Sequence, residues 1–146
     1  MSWTYQTHTI GDITQFPEKT FGFVYIVTHK PTGKSYIGKK VLFHNKKKKL
    51  GKRELEKLQG VVGRRPAYKL EVKESDWKTY YGSHPEMKDL VKKYEPKDFK
   101  REILQLANKK KLLTYWENKW LFTNNVLESD IYINDNIEGR YFRKDF

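Results

Sequence analysis

The strongest constraint on this chain is a pair of tyrosine-centred segments near its start, FVYIV (Phe23 to Val27) and YIG (Tyr36 to Gly38), joined by HKPTGKS. Pro31 presets φ at the first central position of a tight turn and Gly33 relaxes its end, the chemistry of a type I turn over Lys30 to Gly33. The segment reads as a β-hairpin in which Val27 pairs with Tyr36 and Tyr25 with Gly38, so both phenol rings share one face as diagonal neighbours. A register slip of one residue would separate them.

The chain has 146 residues, 37% apolar and 15% aromatic, which supports one domain with a modest core. No apolar run approaches the roughly 20 residues that cross a bilayer, and the start MSWTYQTHT has no secretory apolar stretch. A soluble, cytoplasmic protein without membrane partners is expected. The absence of cysteine excludes disulfides, thiolate catalysis and cysteine-ligated zinc, and leaves oxygen or imidazole to hold any metal.

The net charge of +12 is unevenly placed. Residues 39 to 73 hold thirteen Lys or Arg against three acids, a local excess of +10. Such a density repels itself unless an anionic partner neutralises it, and the phosphate backbone of nucleic acid is the usual one. Lys39, Lys46, Lys47, Lys48, Lys49, Lys52, Arg64, Arg65 and Lys69 are the candidate contacts, in a basic insertion or arm at about 39–75 of an otherwise single domain. A solvated loop is the plainer reading of the same run, and acidic membranes or proteins attract the same lysines.

Along the chain, residues 1 to 20 show no sustained period. Arg53 to Leu58 can form a short helix ended by Gly60, and Gly60 to Glu74 reads as an arm or mobile loop. Ser83 or His84 can cap a helix with Pro85 at its first position and a stripe of Met87, Leu90, Val91 and Tyr94. Phe99 to Leu106 is a third strand. A long amphipathic helix opens at Asn108, with Leu113, Trp116, Trp120, Leu121 and Asn124 on one face. The tail from Tyr132 reads as irregular or edge structure packed back on the domain.

Glu117 falls inside the apolar stripe of that helix, between Trp116 and Trp120. An ionised carboxylate there needs a cation, an arginine or a cleft open to water. The spacing from Thr114 to Glu117 is also that of a capping box, so a site and a cap both stand as readings.

The succession YIGKK, SDWKTYYGS, a Glu-bearing helix and ESDIYIND resembles the GIY-YIG nuclease family, most closely its phage-encoded homing-type and Seg-like members, over roughly residues 21 to 140. Phe23 stands where the first glycine of the family name belongs, with Gly22 one position earlier. The resemblance implies an α/β (α+β) fold, a small three-stranded, mostly antiparallel sheet flanked by helices. It implies a metal-dependent DNA endonuclease that leaves 5′-phosphate and 3′-hydroxyl ends on double-stranded DNA. Tyr25 and Tyr36 take the positions of the family's general base and its positioning tyrosine, and Glu117 that of its metal ligand. A lone carboxylate suits Mg²⁺, with Mn²⁺ able to substitute.

A phenol is a poor base at neutral pH unless positive charge lowers its pKa, and Lys39 and Lys40 follow Gly38 directly. The family's arginine has no clear counterpart, so Lys40 and Arg53 are read as sharing the phosphate clamp. His44 reads either as a second base or phosphate contact, or as a surface residue. Asn134, with Asn136 as the alternative, takes a structural role near the site beside Gly38. Trp77, Tyr80 and Tyr81 either fill the core or stack on DNA. Charge and aromatics suit a non-catalytic nucleic-acid-binding protein on a nuclease-like scaffold as well, and an RNA-directed member is a further possibility.

Overall fold

The run GFVYIVTH carries aromatic or β-branched side chains at most positions, the pattern of a strand covered on both faces, and it forms the inner strand of the main sheet. The computed structural model describes residues 2–57 and 68–146. They form two compact units, Met1–Leu42 with Asp76–Phe146, and Phe43–Ser75. Arg64 and Arg65, and the expected helix stop at Gly60, lie outside the described residues.

In chain order the elements are β1 (Trp3–Tyr5), β2 (His8–Ile10), β3 (Gly22–His29), β4 (Lys34–Val41), β5 (Phe43–Lys49), α1 (Lys52–Lys57), β6 (Tyr68–Glu74), α2 (Pro85–Lys93), β7 (Phe99–Ala107), α3 (Lys110–Thr123), β8 (Asn136–Ile137) and β9 (Tyr141–Phe142). The first unit holds a five-stranded sheet in the order β2-β1-β7-β3-β4. This corrects the expected three strands. Residues 1 to 20 supply the two extra ones, and at three residues each β1 and β2 are too short to show a period. The sheet is mixed, because β1 runs parallel to β7 (Thr4 opposite Glu102) while the other pairs are antiparallel.

The hairpin has the register read from the sequence, Val27 opposite Tyr36 and Tyr25 opposite Gly38. Its turn is one residue wider than expected: the Gly33 N–H donates to the His29 carbonyl (2.8 Å), with Gly33 at φ +71°. Against β7 the register shifts between Val24 and Tyr25, a bulge beside the first tyrosine.

Both faces of the sheet are buried. One packs Trp3, Phe23, Tyr25, Leu42, Trp77 and Met87, and the other packs Val24, Ile37, Leu113, Leu121 and Val126, two of them from α3. Trp77 is thus a core residue. Helix α3 begins at Lys110, so Thr114 and Glu117 lie inside it and do not form a capping box. His84 caps α2, accepting the Glu86 N–H at Nδ1 (3.1 Å) with Pro85 in the first turn, the second of the two caps weighed.

Polar side chains tie the irregular segments to this frame. Arg101 is buried between the Trp3 and Tyr81 rings (4.7 and 4.4 Å) and donates to the carbonyls of Lys78 and Tyr80 (2.9 and 3.1 Å). Burial lowers its pKa from the ordinary value, with Tyr81 acting the other way. Arg143 donates to the carbonyls of Asn134, Leu127, Ser129, Val126 and Tyr132, five acceptors for its five N–H groups.

In the second unit β5 pairs antiparallel with β6 from Phe43 opposite Glu74 to Lys49 opposite Tyr68. Part of the stretch read as a mobile arm is therefore a β-ribbon, and Lys39 and Lys40 belong to β4 of the first unit. No described helix is long and apolar enough to cross a membrane.

Trp3 donates its Nε1–H to the Trp77 carbonyl (2.7 Å) and meets Phe23 and Tyr25 edge-on. Trp3→Ala is expected to lower the unfolding free energy by about 3–5 kcal/mol, read from the urea midpoint. A loss under about 1 kcal/mol would remove β1 from the core.

Candidate active site

Alternation along β3 and β4 places Tyr25, Tyr36 and Lys40 on one face of the sheet and Lys39 on the other. Between them lies Gly38. A Cβ there would stand 2.6 Å from the Tyr25 hydroxyl oxygen and 3.0 Å from Tyr36 Cε1, so both phenols lean across a backbone that only glycine leaves open. Gly82, at φ +115°, closes the opposite side, where a Cβ would lie 3.1 Å from Tyr36 Cδ1. The tight approach at the start of the hairpin falls on Gly22, whose Cβ would meet the Lys40 carbonyl at 2.4 Å and the Leu113 side chain at 2.9 Å.

The rings of Tyr25 and Tyr36 lie 6.3 Å apart, and Tyr80 meets Tyr25 edge-on at 5.8 Å. The Tyr36 hydroxyl is 3.3 Å from Ser83 Oγ, and the His84 ring lies 5.9 Å from that of Tyr36. Because His84 Nδ1 accepts from Glu86, its proton sits on Nε2, which donates to Asp135 Oδ2 (2.6 Å). Both ring nitrogens are engaged. His84 therefore stands as a wall and a cap.

Glu117 projects from α3 on the Lys39 side. Lys39 Nζ donates to Thr114 Oγ1 (3.0 Å) and lies 3.8 Å from Glu117 Oε1. Burial raises the Glu117 pKa above the ordinary value; Lys39 opposes this and Glu138 adds to it. Lys40 Nζ pairs with Asp76 Oδ1 (2.5 Å) and lies 4.0 Å from the centre of the Tyr80 ring. The acid is close enough to the phenols for its charge to act on both.

The expectation that the lysines lower the phenol pKa is overturned. Burial pushes Tyr25 well above its ordinary value, and Tyr80 and Tyr36 push it further. Tyr36 is also raised, chiefly by burial, with the Ser83 hydrogen bond working against it. The physical reason is burial, which disfavours the charged phenolate; the neighbouring phenols and acids add to it, and no lysine is among the charges that act on either ring.

Asn134 bonds edge strand β4 as a further strand would, accepting the Ile37 N–H at Oδ1 (3.2 Å) and donating from Nδ2 to the Ile37 carbonyl (2.8 Å). It carries out the structural role beside Gly38, while Asn136 is exposed and belongs to β8. The remaining candidates belong to the second unit. His44, Lys49, Lys52 and Arg53 are exposed there, and Lys46, Lys47, Lys48 and Lys69 occupy ribbon positions.

Sequence reasoning missed Ser83, Asp135 and Asp76 as neighbours of the tyrosines and treated His84 only as a cap. The run YYGSHP carried the signal, a glycine followed by two polar caps and a proline. Among the described residues no group of three or more His, Asp or Glu gathers as a metal cluster.

A family model described as putative endonuclease segE, GIY-YIG domain, matches residues 3–137. No curated protein and no solved structure matches the chain.

Gly38→Ala is expected to cost about 1–3 kcal/mol of stability, because the ring it displaces is packed. Gly51→Ala, with nothing within 4 Å among the described residues, serves as the control and should change stability by less than about 0.5 kcal/mol. Equal urea midpoints for the two variants would refute the packing argument.

Proposed function

The chain belongs to the SegE-type GIY-YIG endonuclease family, and on that premise we propose that it hydrolyses phosphodiester bonds of double-stranded DNA with a divalent cation on Glu117. What supports this reading is the packing of Tyr25 and Tyr36 over the bare backbone of Gly38, with Lys40 on their face of the sheet and Glu117 beside Lys39 on the other. Products with 5′-phosphate and 3′-hydroxyl ends follow the family.

Glu117 fits such a cation. Its side chain is 18% exposed, it lies in a partly desolvated position, and it pairs with Lys39 at 3.8 Å, longer than a hydrogen bond. One carboxylate, with water and phosphate oxygens, suits Mg²⁺, and Mn²⁺ substitutes. When bound, the cation neutralises charge on the scissile phosphate and the leaving oxygen.

The protein's own groups do the rest. Tyr36 is half-buried with its hydroxyl held near Ser83, so it orients the attacking water and, in place of the buried Tyr25 expected as base, is the phenol that accepts a proton once ionised, while Tyr25 fixes the Tyr36 ring. With both phenols protonated at neutral pH, orientation comes first and proton transfer rises with pH. Lys40, held over Tyr80, grips the phosphate, and Arg53 and the lysines of the second unit supply further contacts to DNA. The absence of cysteine suits a reducing cytoplasm.

On supercoiled plasmid with Mg²⁺, Glu117→Gln and Tyr36→Phe are each expected to cut at least about 10²-fold more slowly, with DNA affinity retained within a few-fold. A protein that binds DNA and cuts no duplex, with variants indistinguishable from it, would leave the non-catalytic reading in place.

A second prediction needs no catalysis. The Glu117 pKa is higher in the folded than in the unfolded chain, so its stabilising contribution is complete below the ordinary glutamate value and lost as pH rises through the folded value. At neutral pH without metal, Glu117→Gln should therefore melt above the parent, and the gap should close in acid. Added Mg²⁺ should raise the melting temperature of the parent and leave Glu117→Gln unmoved.

A further inference from the structure

The second unit, Phe43–Ser75, carries eleven Lys or Arg against four acids, a net +7. Within it the ribbon has an unexpected composition. Leu70 is 70% exposed, Val72 66% and Phe43 41%. Strand alternation and the register (Val72 opposite Asn45, Glu74 opposite Phe43) put these three on one face, with His44 and Lys73 on the other. A two-stranded ribbon buries no core of its own, so this apolar strip is open to an occupant.

Charge chooses among the occupants. A second copy would bring another +7 against the first, and like charge at that density opposes self-association. A polyanion is favoured instead. Duplex DNA is the polyanion whose grooves admit a two-stranded ribbon, with thymine methyls and sugars as apolar partners and base steps that accept apolar wedges.

We propose that the β5–β6 ribbon lies in a groove of duplex DNA with Phe43, Leu70 and Val72 against bases and sugars, and that lysines such as Lys49 and Lys73 reach the flanking phosphates. This rests on the reading of DNA as substrate and is independent of which residues cut. The ribbon then supplies two kinds of contact, one that releases counterions and one that does not.

The test measures binding of the full chain carrying Glu117→Gln to a fluorescent duplex across a range of salt. Adding Leu70→Ser with Val72→Ser should weaken binding about tenfold at every salt, with the slope of log affinity on log salt unchanged. Adding Lys49→Ala with Lys73→Ala should instead make the slope shallower by about 1.8. Leu70→Ile with Val72→Ile should keep the parent affinity. Affinity of the serine pair within twofold of the parent overturns the proposal. So does a concentration-dependent dimer in sedimentation that the serine pair abolishes, which would assign the face to a second copy. Absence of plasmid cutting by the parent chain, with ribbon-dependent binding intact, would count against the proposed activity alone.

Discussion

The missing side chain at Gly38 is the constraint on which the rest of the site depends. Tyr25 lies opposite it in the register, and the phenol leans across the glycine so closely that a single methyl group would stand 2.6 Å from its oxygen. Tyr36 crosses the same backbone from two residues away, and Gly82 in a left-handed conformation leaves room on the far side. The two glycines make a slot two rings wide. Glu117 belongs to the α3 side of the sheet and the phenols to the other, and its charge adds to their raised pKa only after burial.

Polar contacts, more than apolar ones, hold the segments that frame the slot. Residues 76–82 have little regular structure, and Arg101 fixes them by bonding two of their carbonyls from within the core. The C-terminal segment is fixed by Arg143 and Asn134. A buried guanidinium or amide with its donors satisfied specifies position more sharply than an apolar contact, since a shift leaves a desolvated group unpaired at about 1–3 kcal/mol. Such clamps suit irregular chain, which has no ladder of its own to satisfy its carbonyls.

Electrostatics divides the molecule into two roles. In the first unit Lys39 and Lys40 each lie beside an acid. The second unit carries its charge as an excess of +7 over four acids. Paired charges act over a few ångströms, whereas an uncompensated excess acts over the Debye length.

The hairpin and its register were legible in the residues, because alternation and turn chemistry are local, and Glu117 was marked because a carboxylate in an apolar helical stripe is anomalous wherever the helix packs. The resemblance carried by YIGKK and YYGS reached the family for the same reason, being written in contiguous residues. Only the tertiary structure decided the five-stranded sheet, since β1 joins β7 across almost a hundred residues through strands too short to show a period. It alone decided which acids lie beside the lysines as well. The sequence placed lysines beside the tyrosines, and the fold then placed acids on the lysines; Coulomb interactions depend on distance in space, and the separation of Lys39 from Glu117 along the chain says nothing of the 3.8 Å between them.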